Sequence, residues 1–384
     1  MKEKIVFFKA LAVFLGTVIG AGMFALPYVA LKSGFFVVIV YFVFMAFVAI
    51  SINLIYAEIV LNSKKKHRLP GYVGEYFGEK WKKIALFVIG IGLIGTLIAY
   101  LIIGGQFLNS ILGVYLGGSS ILYSILFFIA GSYLIFRGIK AISGIELFLL
   151  GVFFVILVIF FIKSFSFIDI GYFKNIDIKF LTLPYGVVLF SLWGATMVPE
   201  IKEMLKKSAQ DSGQDAIRTK LRQVIFWGIL LSSLVYIFFI FIIFGVCGPN
   251  TSIESISGLG RVINGNFIKL GFIFGILSCF TSFIALGLTL KKIFWYDFGL
   301  SKNISWALAC FPPLLLFLLG IRGLISVISF TGTISLGIGG ILIIFLYRAF
   351  LKKQLSKKMN PVFYALVGIF VLGIIFEIVY FLLK

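Results

Sequence analysis

The chain has 384 residues, of which 61% are hydrophobic and only 12% charged, with a mean hydropathy of +1.15. The charged fraction is about half that of a soluble domain, which excludes a soluble enzyme and predicts an all-α polytopic membrane protein. The net charge of +20 does not argue for nucleic acid, because the basic residues lie in short runs between apolar segments, where they set topology.

Eleven apolar segments are predicted to cross the bilayer: 7–31, 35–61, 83–112, 119–136, 144–163, 183–205, 223–247, 267–293, 304–320, 323–348 and 361–383. They form a single transmembrane domain covering 1–384. Most of the 34 Lys and Arg fall on the side of the N-terminus, chiefly in 64–68, 80–83, 202–222, 291–292 and 348–358. The excess of positive charge places the N-terminus in the cytoplasm, the C-terminus outside, and the protein in the cell membrane. Lys2, Lys4 and Lys9 before an apolar run imitate a signal peptide, but no small-residue cleavage site precedes Pro27, so retention is predicted. Cys247, Cys279 and Cys310 have no metal-ligand spacing and read as core residues, and His67 lies in a basic loop without metal partners.

The first span carries FLGTVIGAGMFALPY at 14–28, with Gly16, Gly20 and Gly22 followed by Pro27. Each Gly weakens a helix by about 0.5–1 kcal/mol relative to Ala, and Pro removes a backbone donor, so the segment is built to unwind. Freed backbone groups at membrane depth need a polar partner, which predicts a ligand there. The small residues also suit close helix packing, the competing reading. The sixth span, LPYGVVLFSLWGATMVPEIKEML, repeats the peculiarity with Gly186, Gly194 and Pro199. Two interrupted spans, five apart, indicate a 5+5 inverted repeat, 7–163 and 183–348, with 361–383 as an extra helix.

Broken helices bind a zwitterion without charged side chains: freed amides receive a carboxylate and freed carbonyls an ammonium. The amides of Ala21, Gly22 and Met23 and the carbonyls of Thr17, Val18, Phe190 and Ser191 are assigned to these tasks, with Phe190, Trp193 and Gly194 flanking the sixth-span break. Tyr100, midway along the third span, needs a partner for its hydroxyl and either faces the ligand or packs. Glu58, Glu146, Glu200 and Glu377 are the acidic candidates within spans or at their ends. Among them Glu200 is expected to close a cytoplasmic gate against a nearby Lys or Arg. Ser278, Thr281 and Ser282 share one face of the eighth span, where they either bond back to the preceding turn or hold a cation.

GTVIGAGMFALP at 16–27, LFSLWGATMVPEI at 189–201 and TSFIALGLTLKKIFWYDFG at 281–299 resemble the hydroxy/aromatic amino acid permeases and the related amino acid/auxin permeases. The resemblance implies the leucine-transporter-type fold of the amino acid-polyamine-organocation superfamily, with substrate held between spans one, three, six and eight and a tyrosine near Tyr100 facing it. It further implies a sodium site made of the carbonyls of Gly16, Ile19 and Ser278 and the hydroxyls of Thr281 and Ser282. Proton-driven relatives also carry hydroxyls there, so the coupling ion is sodium or a proton, with sodium preferred. Glu200 follows Pro199 where many relatives have an uncharged residue. The expected function is ion-coupled symport of a neutral, possibly aromatic, amino acid by alternating access, without cofactor, catalytic residues or nucleic acid, by a monomer or weak homo-oligomer. A carrier of another small amine or organic solute, or a non-transporting scaffold, is the alternative.

Overall fold

The computed structural model describes residues 2–63, 65–138, 142–208, 213–263, 267–356 and 360–382, and among them every regular element is helical. The first span is broken: α1 (Lys2–Val18) and α2 (Gly22–Ser33) meet at 48°. Pro27 lies inside α2 and leaves the Met23 carbonyl without its intrahelical donor. Gly34 turns the chain into α3 (Phe35–Asn62) at φ 107°, a conformation suited to glycine, and a Cβ there would also meet the Asn175 carbonyl at 2.6 Å.

A short α4 (Leu69–Phe77) leads into α5 (Glu79–Leu116), followed by α6 (Ser120–Arg137) and α7 (Ile142–Ser164). After a loop of 3₁₀ turns, the sixth span is split into α8 (Leu183–Ser191) and α9 (Val198–Ser208), with a 3₁₀ turn over Ala195–Met197 between them. Then come α10 (Gln214–Cys247), a short α11 (Ile256–Val262), α12 (Phe267–Lys292) and α13 (Lys302–Leu318). α14 (Leu324–Phe330) continues through a π-helical turn, Thr331–Leu336, into α15 (Gly337–Phe350), and α16 (Val362–Leu382) ends the chain.

Eight helices among the described residues are long and apolar enough to cross a membrane, nine if the α1–α2 pair is one span. The remaining predicted spans fall on shorter pieces: the halves α8 and α9, and α13 with 17 residues. The α1–α2 pair packs on α10 and α8, while α5 lies against α12. Both broken spans are therefore enclosed by continuous helices, where loosened backbone is shielded from lipid.

Candidate functional site

The loosened turn of the first span runs from Ile19 to Ala21, and that of the sixth from Leu192 to Gly194. In the first, the Gly20 amide folds back on the Val18 carbonyl (2.8 Å), and the Met23 and Phe24 amides reach the Gly20 and Ala21 carbonyls (both 3.2 Å). The amides of Ala21 and Gly22 make no such bond among the described residues. The two breaks touch: a Cβ built on Gly22 would collide with the Ser191 hydroxyl, and one on Gly20 with the Tyr100 hydroxyl. Glycine is required at both positions because another helix occupies the side-chain space.

Val18 and Ser191 are the last residues of α1 and α8, so their carbonyls carry the negative ends of two half-helix dipoles. A single buried hydroxyl, that of Tyr236 on α10, lies within hydrogen-bonding distance of both, 3.0 Å from the Ser191 carbonyl. It has one proton for two acceptors. Its donation holds the two breaks side by side.

Below the breaks lies a narrow cavity of about 60 Å³. Thr17, Val18, Gly20, Gly22, Tyr100, Phe190 and Trp193 line one end, and Ile89, Thr96, Leu286, Thr289 and Leu336 the walls. Arg68 is the only charged side chain among the described lining residues, at the far end. There Glu200 lies between Arg68 and the Lys292 ammonium, which is 2.7 and 2.8 Å from its two oxygens, while Glu203 pairs with Arg68 at 3.4 Å. The Arg68 side chain is 2% exposed; burial opposes its charge, but Glu200 and Glu203 outweigh that and hold its pKa above the ordinary value. The loop carrying it is fixed by buried Asp297, which accepts from the amides of Arg68 (3.3 Å) and Gly71 (3.1 Å) and lies 3.1 Å from His67 Nδ1. His67, which the sequence leaves without partners, is thus part of the support for this end.

Beyond the breaks Phe24 meets Phe107 edge to face at 5.0 Å and Phe239 at 6.1 Å, and Phe107 meets Phe272 at 5.5 Å. Phe107 is seven residues beyond Tyr100 on α5, about 10 Å further from Arg68. These rings are not part of the cavity lining.

The eighth-span hydroxyls meet the first span. Ser278 donates to the Ile19 carbonyl and Ser282 to the Gly16 carbonyl, each at 3.0 Å, and Thr281 bonds back to the Ser278 carbonyl at 3.1 Å. Of the five oxygens assigned to sodium, the Thr281 hydroxyl is bonded to the Ser278 carbonyl and the Ser282 hydroxyl to the Gly16 carbonyl, and a small recess beside them is lined in part by Gly16, Ile19, Ser278 and Thr281. Rotation of the hydroxyls would present lone pairs, the ligand type a hard cation takes.

Not every predicted residue reaches the cavity. Ala21, Met23, Ser191 and Gly194 lie behind its lining; Ser191 donates to the Val187 carbonyl (2.8 Å), and a Cβ on Gly194 would strike Phe14. Glu58 pairs at 3.5 Å with Arg218, and the Glu146 side chain lies outside the described residues. Sequence reasoning missed Tyr236, Thr96, Thr289 and Arg68. Thr96 had a signal, since it precedes Tyr100 by four residues on one helical face, and Thr289 follows Ser282 by two turns. Tyr236 sits in an aromatic run and had none.

No curated protein matches the sequence. Among solved structures, the fold is similar to that of Mhp1, a nucleobase-cation-symport-1 family transporter solved with bromovinylhydantoin bound (TM-score 0.72, 15% identity, 97% of this chain and 90% of that one). It is also similar to MhsT in complex with L-phenylalanine (0.61, 17%, 98% and 98%) and to the Eremococcus coleocola manganese transporter (0.69, 11%, 97% and 86%). The tryptophan/tyrosine permease family model matches residues 2–383, and the chain belongs to that family, a membrane transporter and not an enzyme.

Proposed function

We propose that the protein is a secondary active transporter that carries an aromatic or other neutral amino acid by alternating access. The observation that supports this most is the contact between two helix breaks, Gly22 against Ser191, at the head of a cavity whose only described charge is at its far end. The substrate carboxylate meets the free amide of Gly22, with Ala21 and Met23 completing the turn behind the lining, and the ammonium meets the carbonyls of Thr17 and Phe190 and, once the Tyr236 hydroxyl turns aside, those of Val18 and Ser191. The side chain lies among Tyr100, Phe190 and Trp193. Counting α8 with α9 and α13 as spans gives eleven, arranged as repeats 7–163 and 183–348 plus 361–383, with the N-terminus cytoplasmic and the C-terminus outside a cell membrane. Sodium bridging Gly16 and Ile19 to Ser278, Thr281 and Ser282 is the proposed coupling ion, because that set offers five oxygens.

The test is uptake of labelled L-tryptophan and L-phenylalanine into proteoliposomes. Replacing external sodium by choline at fixed pH is expected to remove uptake, and Thr281→Ala with Ser282→Ala to raise the sodium concentration needed. Uptake undiminished in choline but lost when a proton gradient is dissipated would overturn sodium and keep the transporter. No uptake of any amino acid would overturn the substrate class.

A further inference from the structure

α16 is an apolar helix long enough to cross a membrane, yet it contains Glu377. Its neighbours Ile375, Phe376, Ile378 and Val379 are exposed on the outer surface of the bundle, whereas Glu377 is turned inward and only 5% exposed. Five residues remain before the helix ends, so the carboxyl lies roughly 7–8 Å below that end. An ionisable group at such depth is costly and demands a partner.

The partners are hydroxyls. Ser329 donates to Oε1 at 2.7 Å and Thr333 to Oε2 at 3.3 Å. Among the described residues no Lys or Arg pairs with Glu377. The other titratable groups on the helices packed against α16 point elsewhere: Tyr185 of α8 donates to the Ile369 carbonyl, and Arg348 of α15 lies over Tyr364 near the opposite end. Tyr347, also on α15, stacks on Phe350 and Phe363.

Ser329 and Thr333 straddle the start of the π-helical turn, a distortion often found at functional positions. That turn connects Glu377 to the cavity. A Cβ on Gly186 of α8 would collide with the Thr333 hydroxyl, and one on Gly332 with the Gly186 carbonyl. The same α8 ends at Phe190 and Ser191 in the sixth-span break. On its other side the turn bonds α5 from Ser335 to the Val88 carbonyl, and its last residue, Leu336, lines the cavity.

We propose that Glu377, Ser329 and Thr333 form a proton-binding site whose occupancy sets how the π turn packs against α8. As a carboxylate Glu377 accepts from both hydroxyls. When a proton binds, an O–H bond forms, one oxygen becomes a donor, and one of the two hydroxyls must turn to accept. Thr333 is wedged between the carboxyl and Gly186, so its turning changes the contact that seats the half-helix.

The first readout needs no substrate: infrared difference spectra of the purified protein in nanodiscs, stepped across roughly pH 5–9, a range in which ordinary carboxyls, with pKa values of about 4, are already mostly ionised. A protonated-carboxyl band that titrates and vanishes in Glu377→Gln is expected. Ser329→Ala removes a donor that favours the ionised form, so its band should persist to about fivefold lower proton concentration, the equivalent of one hydrogen bond. That variant also serves if Glu377→Gln does not fold. The second readout rests on the transporter reading: the pH dependence of L-tryptophan uptake at fixed sodium should flatten in Glu377→Gln. A band that does not titrate, or that survives Glu377→Gln, overturns the proton site. Loss of uptake in the wild type alone overturns only the substrate assignment, since the infrared result stands without it.

Discussion

Beyond the two breaks Phe24, Phe107, Phe239 and Phe272 meet ring to ring, and at the Arg68 end of the cavity Arg68, Lys292, Glu200 and Glu203 meet as two positive and two negative charges. The aromatic end is held by three weak contacts, each ring pair worth about 0.5–1.5 kcal/mol, so the loss of one is a small step. The charged end is held by few strong ones, and removing one partner of a buried pair costs about 3–5 kcal/mol because its mate is left uncompensated. Charges that separate at a cavity mouth can be rehydrated, and Lys292 and Glu203 are already partly exposed at 27% and 28%. Rings that separate gain no such compensation. If the protein works by alternating access as proposed, the charged end opens as a unit by exchanging ion pairs for water, with the Arg68 loop fixed by Asp297.

The largest expected effect breaks the comparison at its midpoint. Gly22→Leu places a side chain where the Ser191 hydroxyl sits, between the two closures. Uptake of L-tryptophan is expected to fall by at least about a hundredfold, the rate equivalent of nearly 3 kcal/mol, while size-exclusion chromatography still shows a folded protein. Near-normal uptake would mean that the cavity is not the route, and its two ends would then not be gates.

The next effect isolates the charged end. Thr289 lines the cavity, so Thr289→Cys, with the native cysteines replaced by serine, reports entry of an impermeant thiol reagent from either face of the membrane. Glu200→Gln leaves Arg68 and Lys292 without their shared carboxylate, and labelling from the charged side should rise at least tenfold. Adding Arg68→Gln removes one stranded charge and should return part of that rise. Unchanged labelling in Glu200→Gln would show that the ion pairs do not close this end.

How far this arrangement could be read from the sequence depends on whether its cause is local. The breaks were legible because Gly20, Gly22, Pro27 and Gly194 weaken a helix wherever they stand, and Glu200 was legible as an acid beside a break. Its partners were not: Arg68 is 132 residues away and reaches Glu200 from a loop that Asp297 fixes across a separation of 229. Tyr236 was invisible for a different reason. Its hydroxyl matters only because α10 brings it to two carbonyls 218 and 45 residues distant, and nothing in an aromatic run marks one ring as special. Gly194 shows the converse, a small residue at a break that makes room for Phe14 rather than for a ligand. The spacing in the eighth span offers the Ser278 carbonyl to the cation set, and the structure adds a hydrogen bond from its hydroxyl to the Ile19 carbonyl.

A smaller change tests the aromatic end. Phe107→Leu keeps most of the apolar volume but removes the ring contacts to Phe24 and Phe272, worth together about 1–3 kcal/mol. Labelling of Thr289→Cys should rise roughly five- to a hundredfold from the aromatic side and stay constant from the charged side. A rise from both sides would mean that the two closures are a single packed unit.

The smallest effect needs no mutation at either gate. Salt screens charges that water can reach, and the Debye length falls from about 30 Å at 0.01 M to about 3 Å at 1 M. In the charged cluster Arg68 is buried and little screened, but Lys292 and Glu203 are partly exposed, so only a fraction of the attraction is open to screening. An exposed pair contributes about 0.2–1 kcal/mol, which bounds the gain in opening at roughly fivefold. Labelling of Thr289→Cys from the charged side should therefore rise by less than about fivefold between low and high choline chloride at constant sodium, while labelling from the aromatic side stays flat, because ring contacts hold no net charge to screen. Sodium itself must be kept constant, or the proposed site at Ser278, Thr281 and Ser282 would fill during the titration; choline chloride supplies the ionic strength instead. Equal salt responses from both sides would mean that the reagent enters by one path, and the distinction between an ionic and an aromatic closure would fail.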